Sequence, residues 1–371
     1  MDPHVQFCHN PDCTARGKLG LGNIRVHSPK ERRYRCTPCG QTFAATRDTP
    51  FYRLKKSLDL VTIVITLLGH GCPGQAIVAA FGLDERTVAD GRDRAGRHGQ
   101  RLHERVVLQG QVEWGPVQAD ELDAKVVGRR LGMAMARAVP SRLGLGGVLS
   151  ARRDLILITA VVTRVRSAAK TRAFLVCVEG LASSVTAFTR VFRDPVRTGK
   201  AGRPRLVAIP GLLLGQVIKH HCGRRLVSVT RRVVLGTAAA IATTLTATGT
   251  GTGLNTSYIE RLNAPFRAAL GPLVRRGRAL VRGEGVWTGW MYLVGWASNF
   301  CGEHDSLRVA AGSGERLKWR VRTPAMAAGL THHRWTMHEL LSDPIPLPPW
   351  VAPKRRGRPP KRFQAPGAVP A

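Results

Sequence analysis

Cys8, Cys13, Cys36 and Cys39 fall in two short pairs, CHNPDC and CTPCG, separated by the basic, Gly-rich stretch RGKLGLGNIRVHSPKERRYRC. Two thiolate pairs brought together by a hairpin can surround a Zn²⁺ ion tetrahedrally. Metal binding then supplies the folding free energy that a unit of roughly 45 residues does not draw from its own small core. The spacing therefore predicts a zinc ribbon over 1–50. Incidental free cysteines are the alternative, and His9 is a substitute ligand for Cys8. Eight cysteines in 371 residues do not form the dense framework of a disulfide-stapled protein, so a reducing compartment is expected.

Charge sets the next bound. Fifty-seven Lys and Arg against 24 Asp and Glu leave +33, spread along the chain. Such a field attracts phosphate backbones through counterion release. Anionic membrane is the rival partner, but no amphipathic anchor supports it. The longest apolar runs, LDLVTIVITLLG and LILITAVV, are about half the ~20 residues a bilayer span needs. The start, MDPHVQFCHN, lacks an apolar signal region, so no secretory signal is expected.

Three further zones follow the ribbon. Over 55–110, apolar residues recur at helical spacing in LDLVTIVITLL and AIVAAFGLDERTVAD, broken at Gly82-Leu83-Asp84. This predicts a helix-turn-helix domain, with Asp84 capping the second helix and Glu85, Arg86 and Thr87 in the first turn, where base edges are read. An ordinary helical hairpin is the alternative. Over 113–310, strand-like and helix-like stretches alternate as in an α/β core, with TTLTATGTGTG read as a flexible loop. The zone 311–371 is a Pro-rich, basic, partly disordered tail. In it Arg356, Gly357, Arg358 and Pro359 have the form of an AT-hook for a narrow minor groove, a plain solvated basic tail being the alternative.

Acids are scarce enough to filter candidates. Between Asp123 and Glu260 stand only Asp154, Glu179 and Asp194. Two-metal phosphoryl chemistry needs carboxylates from separate elements around hard Mg²⁺ ions. Asp120 on a strand, Glu179 at a strand end and Glu260 on a later helix meet that need. Asp154 reads as a helix N-cap and Asp194 as part of an exposed loop. Asp120 and Asp123 point to opposite faces of their strand. For Glu260 a second role competes, because Ser257-Tyr258-Ile259-Glu260 matches the capping-box pattern.

The ribbon RYRCTPCGQTF, the turn AFGLDERTV, QADEL, and above all NTSYIERLN followed by FRAALGPLVRRGRAL resemble insertion-sequence transposases of the zinc-ribbon, DDE type over roughly residues 8–310. The resemblance implies a multidomain α/β protein with an RNase H-like catalytic core. There Asp120, Glu179 and Glu260 would bind two Mg²⁺ (or Mn²⁺) ions, while Cys8, Cys13, Cys36 and Cys39 hold Zn²⁺. It implies double-stranded DNA as partner, a homo-oligomer on that DNA, and a cytoplasmic, nucleoid-associated location in a bacterium. Arg261, Arg267, Arg275 and Arg276 would hold phosphates, with a solvated basic face as the alternative.

Three departures from the family's pattern raise the hypothesis of an impaired copy. Glu179 stands where the pattern has Asp, Pro265 falls inside the helix expected to carry Glu260, and Gly91 replaces a Trp. A non-catalytic DNA-binding protein or inactive remnant is the second hypothesis.

Overall fold

The strand expected around Asp120 lies inside a six-stranded sheet in a computed structural model, which describes residues 1–109, 112–113, 115–171, 173–197, 199, 202–223, 225–273, 283–312 and 318–347. Its contacts divide the chain into two units. One is Met1–Arg47 with the described part of Pro346–Ala371, and the other is Asp48–Ile345.

In the first unit, β1 (Ile24–Ser28), β2 (Arg33–Cys36) and β3 (Thr42–Ala44) form an antiparallel sheet. Its small core is built from the cysteines together with Ala15, Ile24, Tyr34 and Phe43.

The second unit opens with α1 (Leu58–Gly69), α2 (Gly74–Phe81) and α3 (Glu85–His103). Gly82 ends α2 in the left-handed conformation that glycine adopts without strain, and Asp84 caps α3 by accepting from the Arg86 amide. There follow β4 (Val117–Val126), β5 (Arg129–Ala138), β6 (Gly144–Ser150), α4 (Leu155–Ala168), β7 (Leu175–Glu179) and α5 (Ala182–Val191). Next come a short hairpin of β8 (Arg193–Val196) and β9 (Arg205–Ala208), and a long one of β10 (Leu213–Cys222) and β11 (Arg225–Leu235). Three helices follow, α6 (Ala238–Ala247), α7 (Ser257–Ala269) and α8 (Glu284–Trp296).

The sheet order is β11-β10-β7-β4-β5-β6. β4, β5 and β6 run antiparallel in succession; β7 joins β4 in parallel and β10 joins β7 in parallel. Strand alternation sends Ala119, Ala134, Ala136, Val176 and Val178 into one core with α4 and α5. On the opposite face Leu122, Leu131 and Met133 pack with Ile259, Leu262 and Phe266 of α7 and Trp287 and Met291 of α8. Asp154 caps α4, accepting from the Ile156 and Leu157 amides.

Four expectations need correction. The Thr-rich stretch is helical through Ala247: Thr237 caps α6, and Thr243, Thr244 and Thr248 bond their hydroxyls to carbonyls four residues back, so these threonines find their partners within the helix. Asp194 is not in a free loop but on β8, paired with Arg166 at 2.7 Å. Ser257 and Glu260 form no capping box; Thr256 is the N-cap of α7 and its side chain makes no cap bond. Residues of the expected tail also enter the core of the second unit, where Met337, Leu340, Leu341 and Ile345 are buried. Pro265 does lie inside α7, which runs through it. No helix among the described residues is long and apolar enough to cross a membrane.

Candidate functional site

In the first unit the sulfur atoms of Cys8, Cys13, Cys36 and Cys39 all lie within 4.8 Å of one another. Cys8 and Cys39 are 3.6 Å apart and Cys13 and Cys36 are 4.0 Å apart. A tetrahedral ion with bonds of about 2.3 Å sets its sulfurs about 3.8 Å from each other, so the cage has the size of a zinc site. The Asn10 amide donates to Cys8 Sγ and the Asn23 side chain to Cys36 Sγ, both at 3.4 Å. Burial pushes the Cys8 and Cys36 thiols up. Burial opposes ionisation at Cys39 as well, yet the Gln41 amide and its other donors draw it down to about 7. Four cysteines so placed can hold a metal ion such as zinc.

In the second unit Asp120 and Glu179 stand on adjacent parallel strands. The register pairs Ala119 with Val178, which puts the two acids next in line on the same face. Gln118, one pleat earlier, donates to the Asn255 carbonyl at 2.7 Å and accepts from the Ile259 amide at 2.9 Å, fixing the start of α7 over the sheet. That brings Glu260 to the same place. Thr256 Oγ1 donates to Glu260 Oε1 at 3.0 Å and reaches Glu179 Oε1 at 3.5 Å. Lys219 of β10 donates to Glu179 Oε1 at 2.8 Å and also to Glu260 Oε1.

Asp120 is the most enclosed of the three, 8% exposed. Its oxygens accept from the Glu121 amide at 2.8 Å and from Asn263 Nδ2 at 2.7 Å. Burial and the neighbouring Glu179 charge raise its carboxyl to about 6. Burial also acts on Glu260, but Lys219 and Thr256 outweigh it and hold that carboxyl below its ordinary value. The donor set is all oxygen, the type hard cations prefer. Among the described residues, the four cysteines are the one cluster of His, Cys, Asp or Glu placed to hold a metal ion, and the three acids do not form a second.

A separate basic group gathers around Tyr258 of α7. Arg137, 4% exposed, donates to the Tyr258 carbonyl at 2.7 Å and to the Arg142 carbonyl at 3.0 Å. The Arg142 guanidinium lies 4.0 Å from the centre of the Tyr258 ring. Burial, with Arg142 and Arg261 nearby, lowers Arg137 to about 10. Burial and the same arginines lower His304. Arg261, exposed, lies next to Glu260 in the chain, and Arg267 is half-buried farther along α7. Glu85, Arg86 and Thr87 are exposed in the first turn of α3. Arg275, Arg276, Arg356, Gly357, Arg358 and Pro359 lie outside the described residues.

Lys219, Thr256, Asn263, Gln118, Arg137 and Arg142 were not singled out by sequence. Asn263 carried a signal, since it lies three residues after Glu260 and shares its side of α7. Glu121, beside Asp120, points to the other face. There it is buried, accepting from Ser184 Oγ at 3.0 Å and from Arg153 at 3.2 Å.

No protein-family model matches the chain, and no curated protein matches it.

Proposed function

We propose that the protein is a DDE-type DNA transposase, which binds the ends of a mobile element and carries out Mg²⁺-dependent strand cleavage and strand transfer. The observation that carries this reading is that Glu179, at the end of β7, and Glu260, on α7, share Lys219 and Thr256, with Asp120 next in register on the adjacent parallel strand. A mixed sheet with acids in those positions supports an RNase H-like core. When bound, Mg²⁺ ions would activate the attacking water or 3′-hydroxyl and stabilise the leaving oxygen. Asp120, Glu179 and Glu260 would hold them.

The remaining work falls to the chain's own residues. Gln118 and Asn263 orient α7 and Asp120. Arg142 and Arg261, grouped with Arg137 around Tyr258 of α7, would offer positive charge to the DNA backbone. The cysteine unit, the first turn of α3 and the basic C-terminal segment would grip double-stranded DNA, which the +33 charge favours. A homo-oligomer on DNA and a nucleoid-associated, cytoplasmic location belong to the same reading.

A second reading, DNA binding without catalysis, is favoured by one observation: Lys219 already pairs with two of the three acids. The test is cleavage of a duplex carrying the element's terminal repeat by purified protein in Mg²⁺. The proposal expects nicking that is lost in Glu260→Gln, while DNA affinity is retained. Binding without any metal-dependent nicking would select the second reading.

A further inference from the structure

Glu179 and Glu260 belong to different elements, yet the same two oxygens, Glu179 Oε1 and Glu260 Oε1, each meet the Lys219 ammonium and the Thr256 hydroxyl. Lone pairs from both acids thus converge on one cation-sized place. The backbone aims Lys219 there: Val217 is the register partner of Glu179 on β10, and Lys219, one pleat beyond, points to the same face. Asp120 keeps a separate pair of donors, the Glu121 amide and Asn263. The side chains of Lys219, Glu179 and Glu260 remain 28%, 31% and 46% exposed, so solutes can reach the cluster.

We propose that Lys219 is a built-in counter-cation of the acid cluster, occupying the position between Glu179 and Glu260 that a divalent ion takes, so that metal entry is an exchange against this ammonium. The inference rests on the metal-dependent reading above. An ammonium and a divalent ion need the same carboxylate lone pairs and cannot share them. With Lys219 in place one unit of the cluster's charge is offset and the two glutamates are held together without metal; with Lys219 displaced, two carboxylates become available to join Asp120. Metal affinity is therefore set by the strength of this internal ion pair as well as by the acids.

The test is Mn²⁺ binding by the full chain, titrated by electron paramagnetic resonance, in wild type, Lys219→Met, Lys219→Arg and Glu260→Gln. Removing the competing ammonium is expected to tighten Mn²⁺ binding about tenfold in Lys219→Met, equivalent to about 1.4 kcal/mol. Lys219→Arg keeps the charge and stays near wild type. Lys219→Met should also melt lower than wild type in EDTA and recover as Mn²⁺ is added, because its carboxylates repel each other until an ion arrives. Should the Met variant fail to fold, Lys219→Gln carries the same comparison. Equal Mn²⁺ affinity in wild type and the neutral variants, with binding lost in Glu260→Gln, would overturn the role of Lys219 and leave the metal reading standing. No Mn²⁺ bound by wild type or the neutral variants would overturn the metal reading itself, and this inference with it.

Discussion

Asp120 and Glu121 are neighbours in sequence and opposites in consequence. Strand alternation sends Asp120 toward α7, where burial makes its charge costly, and Glu121 to the other face, where Ser184 and Arg153 satisfy it. Neutralising each should move stability in opposite directions. Asp120→Asn, measured in EDTA by urea denaturation, is expected to be more stable than wild type by about 1–2 kcal/mol, while losing metal-dependent nicking. Glu121→Gln should lose about 1–2 kcal/mol through weakened bonds to Ser184 and Arg153, with nicking retained. Loss of nicking in Glu121→Gln at unchanged stability would mean that the acid on the other face takes part in the chemistry. The pair also shows what a sequence can convey at this scale. Period-two alternation separates faces, but it does not say which of QADEL meets a helix more than a hundred residues away. That depends on Gln118 pinning Asn255 and Ile259, a contact with no local signature.

Helix α3 carries three interior glycines with different surroundings, and two of them make opposed predictions. A Cβ on Gly91 would meet only Ile65 Cδ1, at an ordinary 3.5 Å. Gly91→Ala should therefore gain about 1 kcal/mol, because alanine restricts the unfolded chain and suits a helix interior. A Cβ on Gly96 would lie 2.5 Å from the Gly289 backbone, where α3 and α8 cross with no side chain between them. Gly96→Ala should cost at least about 1–3 kcal/mol by forcing the helices apart. Equilibrium denaturation of both variants checks the signs, and matching signs would refute the close crossing. Elements with one buried face were legible: α1, α4, α5 and β4 to β7 follow their apolar spacing. The β10–β11 hairpin was not, since β11 is exposed along nearly its whole length and so lacks the alternation that marks a half-buried strand. Lys219 went unseen with it. Helix α6 was obscured by its threonines, whose hydroxyls find carbonyl partners only once the helix exists.

At the scale of the molecule, the two units have separate cores and should respond to separate insults. The first is built around its cysteines, so a strong chelator or Cys36→Ser is expected to release one zinc per chain and unfold residues 1–47, while the main thermal transition of the second unit stays within about 2 °C. Zinc-indicator absorbance read alongside calorimetry checks this; a shared loss of both transitions would show one cooperative unit. The second unit has its own acid sensitivity. His98, bonded to the Leu340 carbonyl, and His103, bonded to the Leu145 carbonyl, are held down to about 4 by burial, with Arg101 and Arg164 adding to the effect. Unfolded, each takes a proton below its ordinary 6.5; folded, it stays neutral until about 4. Their stabilisation is therefore complete above pH 6.5 and drains away as pH falls toward 4, by about 3 kcal/mol for each histidine. Asp120 and Asp343 oppose this trend, because burial raises their carboxyls and folding then favours the protonated form. The total pH slope mixes both effects, so the histidines are isolated by difference. The stability of His103→Gln relative to wild type should rise as pH is lowered from 6.5 to 4, and a difference that stays flat across that window would show that His103 is charged in the folded protein.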